Sequence, residues 1–249
     1  MCENSRMDSS WVGSMLFEQI NENAWARAYL IVNEESSSAI LVDPVLEFME
    51  RDEKTLADRD LELVCVINTH THADHVSAAV HLARKHSCPY LMHESTGVPC
   101  ADLLVTDMQT LNIDGIEFTF HHTPGHTSDA MCIEVGKYLM TGDFLFNGQG
   151  GVGRDDLPTG DLESHWSSLK VLDRFDSEII VCPGHDPPGH PVSTLGENRK
   201  SNPALCCDSF EDYENWQRGE WQKLGEVSRM KYSLPANLTC QLPEPEYFR

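Results

Sequence analysis

The chain has 249 residues, with 18 basic side chains against 40 acidic ones and a formal net charge of −22. That excess of negative charge argues against nucleic acid or anionic membrane as a partner, and no apolar run approaches the roughly 18 residues of a membrane span. With 40% of its residues hydrophobic, the chain has the composition of a folded globular protein rather than a disordered one.

Met1–Ser10 is polar and carries acids, without the apolar stretch of a secretory signal. An intracellular protein is therefore expected, cytoplasmic or mitochondrial. Nine cysteines are scattered without a CxxC pair, and in a reducing compartment they read as free thiols.

In chain order, Ala28–Val32 and Ala39–Val42 are short apolar runs ended by Asp43-Pro44, and they predict strands. Leu63–Ile67 is a continuous apolar run, consistent with a buried strand. Val76, Ala79, Val80 and Ala83 recur at helical spacing and predict a helix from Asp74 to about His86. Ile116–Phe120, Met131–Val135 and Tyr138–Met140 predict strands, with Gly136-Lys137 as the turn between the last two. Trp166–Phe175 fits a helix, and Ile179–Cys182 a strand stopped by Pro183-Gly184. After about Pro203 the pattern turns aromatic and acidic, and Trp216 and Trp221 lie on a helix expected to cover the core. Strands first and strand–helix alternation afterwards suit an α/β sandwich with helices outside two sheets.

The stretch His70-Thr71-His72-Ala73-Asp74-His75 places three imidazoles and a carboxylate within six residues at a strand end. So many polar groups converging on a small volume are costly unless a cation compensates, and imidazole and carboxylate are ligands of Zn²⁺ and Fe²⁺. His126 follows Pro124-Gly125, Asp143 follows an apolar run and Gly142, and His185 follows Pro183-Gly184. A histidine after glycine is more often a turn residue than a ligand. Here three such positions, each at a predicted strand end, agree with the HxHxDH stretch. Seven ligands could hold two metals, His70, His72 and His126 on one and Asp74, His75 and His185 on the other. Asp143 would bridge them near the roughly 3.5–4 Å separation of two-metal sites. Among the other histidines, His81, His86 and His165 read as surface residues, and His121 and His122 as structural.

These motifs, in this order, resemble the metallo-β-lactamase superfamily, which implies an αββα four-layer sandwich with the metal site at one edge of the sheets. Residues 11–205 would be the catalytic segment and 206–249 a C-terminal cap. Within the superfamily the chain is similar to the persulfide dioxygenases, through Ile67–His75, Gly151-Val152-Gly153-Arg154, Pro183–Asp186, Val192-Ser193-Thr194, Glu197–Arg199, Asn202-Pro203 and Leu234–Leu238. That resemblance implies one Fe(II) per chain on His70, His126 and Asp143, with His72, Asp74, His75 and His185 as supporting residues or a second site. It implies oxidation of glutathione persulfide, or a related small thiol persulfide, by O₂ to sulfite and thiol. Arg154 would anchor a substrate carboxylate. Three positions depart from the family: Pro187 stands where relatives have Tyr, Ala204 where they have Arg, and Val152 where they have Cys. The alternative is a dinuclear thioester hydrolase of the glyoxalase II type, with two Zn(II) or a mixed Fe/Zn pair. A homodimer is compatible with either reading.

Overall fold

Two six-stranded sheets carry the chain, and the reason is visible in which residues each strand buries. In the computed structural model, which describes residues 14–21, 24–187, 190 and 192–248, the first sheet runs in sequence order. Its strands are β1 (Met15–Gln19), β2 (Tyr29–Asn33), β3 (Ser38–Val42), β4 (Glu62–Ile67), β5 (Tyr90–His93) and β6 (Leu103–Val105). Antiparallel pairing gives way to parallel from β3 onward. The second sheet holds β7 (Gln109–Ile113), β8 (Ile116–His122), β9 (Met131–Val135), β10 (Tyr138–Gly142), β11 (Ile180–Pro183) and β12 (Ser193–Thr194). Only β10 and β11 pair in parallel there.

Tyr29, Ile31, Ile40, Val42, Cys65 and Ile67 of the first sheet meet Ile116, Phe118, Phe120, Met131, Ile133 and Met140 of the second in one core. The intervening side chains of the first sheet, Leu30, Val32, Leu41, Leu63 and Val66, pack outward. They meet Leu56 of α1 (Met49–Asp58) and Val80, Leu82 and Ala83 of α2 (Ala79–His86). Strands buried on both faces must be apolar at every position, which is why β2, β3 and β4 read as unbroken apolar runs. On the far side, Cys132, Leu139 and Val181 are covered by Leu169, Leu172, Leu195 and Tyr213. These belong to the 3₁₀ turn (Leu169–Arg174) that follows α3 (Leu162–Ser168), to α4 (Leu195–Ser201), and to α5 (Phe210–Leu224). The order helix, sheet, sheet, helix is the four-layer sandwich the sequence implied.

Three expectations need correction. The helix expected from Asp74 begins at Ala79, because side chains from elsewhere in the fold hold residues 70–77 out of helical geometry, as described below. The helix expected over Trp166–Phe175 is α3 followed by the 3₁₀ turn. His165 is not on the surface but fully buried: Nε2 donates to the Phe144 carbonyl at 3.0 Å, and Nδ1 lies 3.3 Å from Asp155.

The cysteine expectation also fails in part. Cys100 and Cys240, 140 residues apart, form a disulfide, whereas Cys65, Cys88, Cys132, Cys182, Cys206 and Cys207 are free. The pair meets because α6 (Met230–Thr239) ends at Cys240, within the outer core of the first sheet. No spacing rule shows such a pairing. Among the described residues, no helix is long and apolar enough to cross a membrane.

Candidate metal centre and cavity

The HxHxDH stretch leaves β4 as an irregular loop whose backbone is held at three points. Asp43, which follows β3 with a left-handed φ of 51°, accepts from Thr69 N at 2.8 Å and from Thr69 Oγ1 at 2.7 Å. Asp129 accepts from Thr71 N at 3.2 Å and Thr71 Oγ1 at 2.6 Å, and from Thr127 beside His126 at 2.7 Å. Asn237 of α6 donates to the carbonyls of His72 at 2.8 Å and His75 at 2.9 Å, and accepts from Ser77 N at 2.9 Å. Each bond satisfies a backbone or hydroxyl group that this irregular loop leaves without a sheet or helix partner.

These restraints determine which ring nitrogens face the site. Thr69 Oγ1 gives its proton to Asp43, so it accepts from His70 Nδ1 at 2.9 Å and leaves His70 Nε2 as a lone pair. His126 Nδ1 donates to the Arg154 carbonyl at 2.6 Å, which presents its Nε2 in the same way. Both lone pairs face Asp143 Oδ2, at 4.0 Å from His70 and 3.5 Å from His126. Close packing permits this approach: a Cβ on Gly153 would lie 2.2 Å from the Asp143 carbonyl, and one on Gly125 would lie 2.3 Å from His165.

The ligating atoms of His70, His126 and Asp143 all lie within 4.8 Å of one another, and those of His72, Asp74 and His75 form a second such group. The pairing expected from spacing alone, with Asp143 as a bridge, is not how these atoms group. His185 joins neither. It donates from Nδ1 to Asp143 Oδ1 at 2.7 Å and from Nε2 to Asp74 Oδ2 at 2.9 Å. His72 donates from Nε2 to Asp43 at 3.1 Å.

The donor chemistry fits a metal. Among the described residues, His70 Nε2, His72 Nδ1 and His75 Nε2 are buried with no hydrogen-bond partner, a costly state in a protein interior. Burial, aided by His72, holds the His70 pKa well below that of free imidazole. Burial also lowers that of His126, against the pull of Asp143. Burial opposes ionisation of Asp143, but His185 and then His126 outweigh it and hold the carboxyl well below its ordinary range. Neutral imidazoles beside an ionised carboxylate are the protonation states that metal binding requires.

Beside the triad opens a cavity of about 370 Å³. Trp25, Phe146, Val152, Leu157, Pro187, Leu224 and Val227 supply most of its wall, and His126 and Asp143 reach it from the metal side. Arg154, expected to anchor a substrate carboxylate, lines the cavity. Its guanidinium donates to both oxygens of Asp156, at 2.6 and 2.8 Å, and to the Gly225 carbonyl at 2.7 Å. Of the three departures from the family, Val152 and Pro187 line the cavity. Ala204 is fully buried in the outer core of the second sheet.

Sequence reasoning missed Asp43, Asp129 and Asn237 as builders of the site. The one local signal was the Asp-Pro pair closing β3. The others act across long stretches of chain.

A family model described as the metallo-β-lactamase superfamily matches residues 26–185. The chain belongs to the metallo-β-lactamase superfamily. Persulfide dioxygenase ETHE1 of Homo sapiens is 29% identical over 223 residues, which cover 87% of this chain and 85% of that protein. The crystal structure of ETHE1 from Myxococcus xanthus superposes with a TM-score of 0.83 at 32% identity, covering 90% of this chain and 99% of that one. The hydroxyacylglutathione hydrolase GloC of Haemophilus influenzae is 31% identical over 219 residues, covering 78% of this chain and all of GloC. Within the superfamily, the likeness to persulfide dioxygenases extends over more of the chain than the likeness to GloC.

Proposed function

We propose that this protein is an iron-dependent persulfide dioxygenase whose single Fe(II) is held by His70, His126 and Asp143. The observation that carries the reading is the convergence of two lone-pair imidazole nitrogens and one carboxylate oxygen. Two histidines and one carboxylate with open positions are the ligand set of non-haem Fe(II) oxygenases. The extended likeness to ETHE1 supports the same branch.

The reaction is RSSH + O₂ + H₂O → RSH + SO₃²⁻ + 2 H⁺. The outer sulfur is oxidised, O₂ is reduced, and the S–S bond breaks to release the thiol. Iron, when bound by His70, His126 and Asp143, would supply redox chemistry between persulfide sulfur and O₂. The protein's own part is positional. Thr69 and the Arg154 carbonyl fix the two imidazoles. His185 holds a proton between Asp143 and Asp74: burial opposes its protonation, but the two carboxylates outweigh that and raise its pKa well above the usual value. Phe146, Val152, Leu157 and Leu224 give the cavity beside the triad an apolar wall.

A second reading is a two-metal thioester hydrolase of the glyoxalase II type. It is favoured by the second donor group, His72, Asp74 and His75, and by the likeness to GloC. Metal counting on anaerobically prepared protein, paired with O₂ uptake, separates the two. One iron per chain with O₂ consumed in step with sulfite supports the dioxygenase. Two zinc ions with thioester cleavage and no O₂ uptake support the hydrolase.

A further inference from the structure

Resting on the persulfide reading, we infer that the cavity takes a persulfide with an apolar carrier lacking carboxylates, and discriminates against glutathione persulfide. Glutathione brings two carboxylates against one ammonium, so an enzyme suited to it should offer free cations where the carrier lies. Among the described residues, the cavity wall contains no lysine, and its single arginine is Arg154. That guanidinium already forms a two-pronged pair with Asp156 and a third bond to the Gly225 carbonyl. A substrate carboxylate must therefore compete with a carboxylate that is tethered two residues away and pays no association entropy.

The rest of the wall disfavours an anion further. Glu220 and Asp186 face the cavity beside Asp74 and Asp143. Asp143 would be offset by the metal and Asp74 is paired with His185; Glu220 and Asp186 lie outside the proposed triad. Lys223, 2.6 Å from Glu220, offsets part of that charge but does not line the cavity. Trp25, Val152, Leu157, Pro187, Leu224 and Val227 present apolar surface. An alkyl or aryl carrier packs against such a surface without losing hydrogen bonds, whereas a carboxylate held there gives up part of its hydration and finds Arg154 already paired. The whole-chain charge of −22 adds to the repulsion at low ionic strength.

The test compares glutathione with glutathione diethyl ester, which share one skeleton and differ in their carboxylates. Calorimetric binding of the two thiols to metal-loaded protein under argon is expected to favour the ester at least tenfold. The kcat/KM for O₂ uptake with the corresponding persulfides is expected to follow in the same direction. Asp156→Asn, which releases Arg154, narrows the ratio at least threefold through KM rather than kcat. Equal or tighter binding of glutathione overturns the inference, even if O₂ uptake is brisk. Preferential binding of the ester without O₂ uptake from either persulfide upholds the cavity's selectivity and overturns the dioxygenase reading.

Discussion

His126 donates from Nδ1 to the main-chain carbonyl of Arg154 at 2.6 Å. One short bond thus orients a candidate ligand and ties it to the loop that walls the cavity beside the triad. The same loop approaches so closely that a Cβ on Gly153 would lie 2.7 Å from His126 Nδ1. Gly153→Ala should therefore displace His126 and lower iron content at least tenfold in anaerobic preparations, while circular dichroism remains native. Full iron occupancy in that variant would contradict the role given to the loop.

Ligand and supporting residues should separate in metal content. His70→Ala, His126→Ala and Asp143→Ala are each expected to reduce iron to below about a tenth of the wild-type level. His75→Ala should retain most of it, since His75 lies in the other donor group. Inductively coupled plasma measurements on protein purified without oxygen check this. Equal losses in all four variants would favour a two-metal centre.

Asn237 holds the metal loop from the opposite end of the chain, with donations to the carbonyls of His72 and His75 and acceptance from Ser77. Residues that orient ligands from behind typically cost 10–100-fold in metal affinity when removed. Asn237→Ala is expected to weaken iron binding within that range and to lower stability by about 1–3 kcal/mol. Chelator competition and thermal unfolding report the two effects separately, and an unchanged affinity would show that the loop holds itself.

The Cys100–Cys240 disulfide anchors the end of the helix that carries Asn237. A cross-link between residues so far apart in sequence stabilises by roughly 2–4 kcal/mol. Cys240→Ser should lower Tm in non-reducing buffer and abolish the shift that dithiothreitol causes in the wild type. Identical melting curves for the two proteins would contradict it.

Asp52 gives a pH signature remote from the metal. Burial pushes its carboxyl up to about 6, against the opposing hydrogen bond from Arg51. Between pH 4 and 6 the folded state keeps a proton that the unfolded chain has lost, so this group's contribution to stability falls as pH rises through that window. Above pH 6 the cost is complete. Asp52→Asn should stabilise the protein by on the order of 1 kcal/mol at pH 7 and have little effect at pH 4. A gain of equal size at both pH values would refute this assignment.

Much of the site was legible because its signals are local. His70, His72, Asp74 and His75 are adjacent in sequence, and His126, Asp143 and His185 each follow a glycine near a strand end. Strands β2, β3 and β4 were legible because burial on both faces requires unbroken apolar runs; β5, buried throughout, is only four residues long and ends in His93, and went unread. By contrast, β7 escaped notice because Thr110 and Asn112 face away from the core that Leu111 and Ile113 join. The start of α2 was misjudged because helical spacing continues back to Val76, whereas Asp129 and Asn237 hold the preceding backbone from outside. His165 looked like a surface residue because its partners, Phe144 and Asp155, come from other segments. Contacts between distant segments leave no periodicity to read.

The most direct measurement is O₂ uptake by anaerobically prepared, metal-quantified protein on addition of a thiol persulfide, with sulfite determined in the same vessel. The expected result is one iron per chain and one sulfite formed per O₂ consumed, both abolished in His126→Ala. Protein that holds two zinc ions, consumes no O₂ and cleaves a thioester would contradict it.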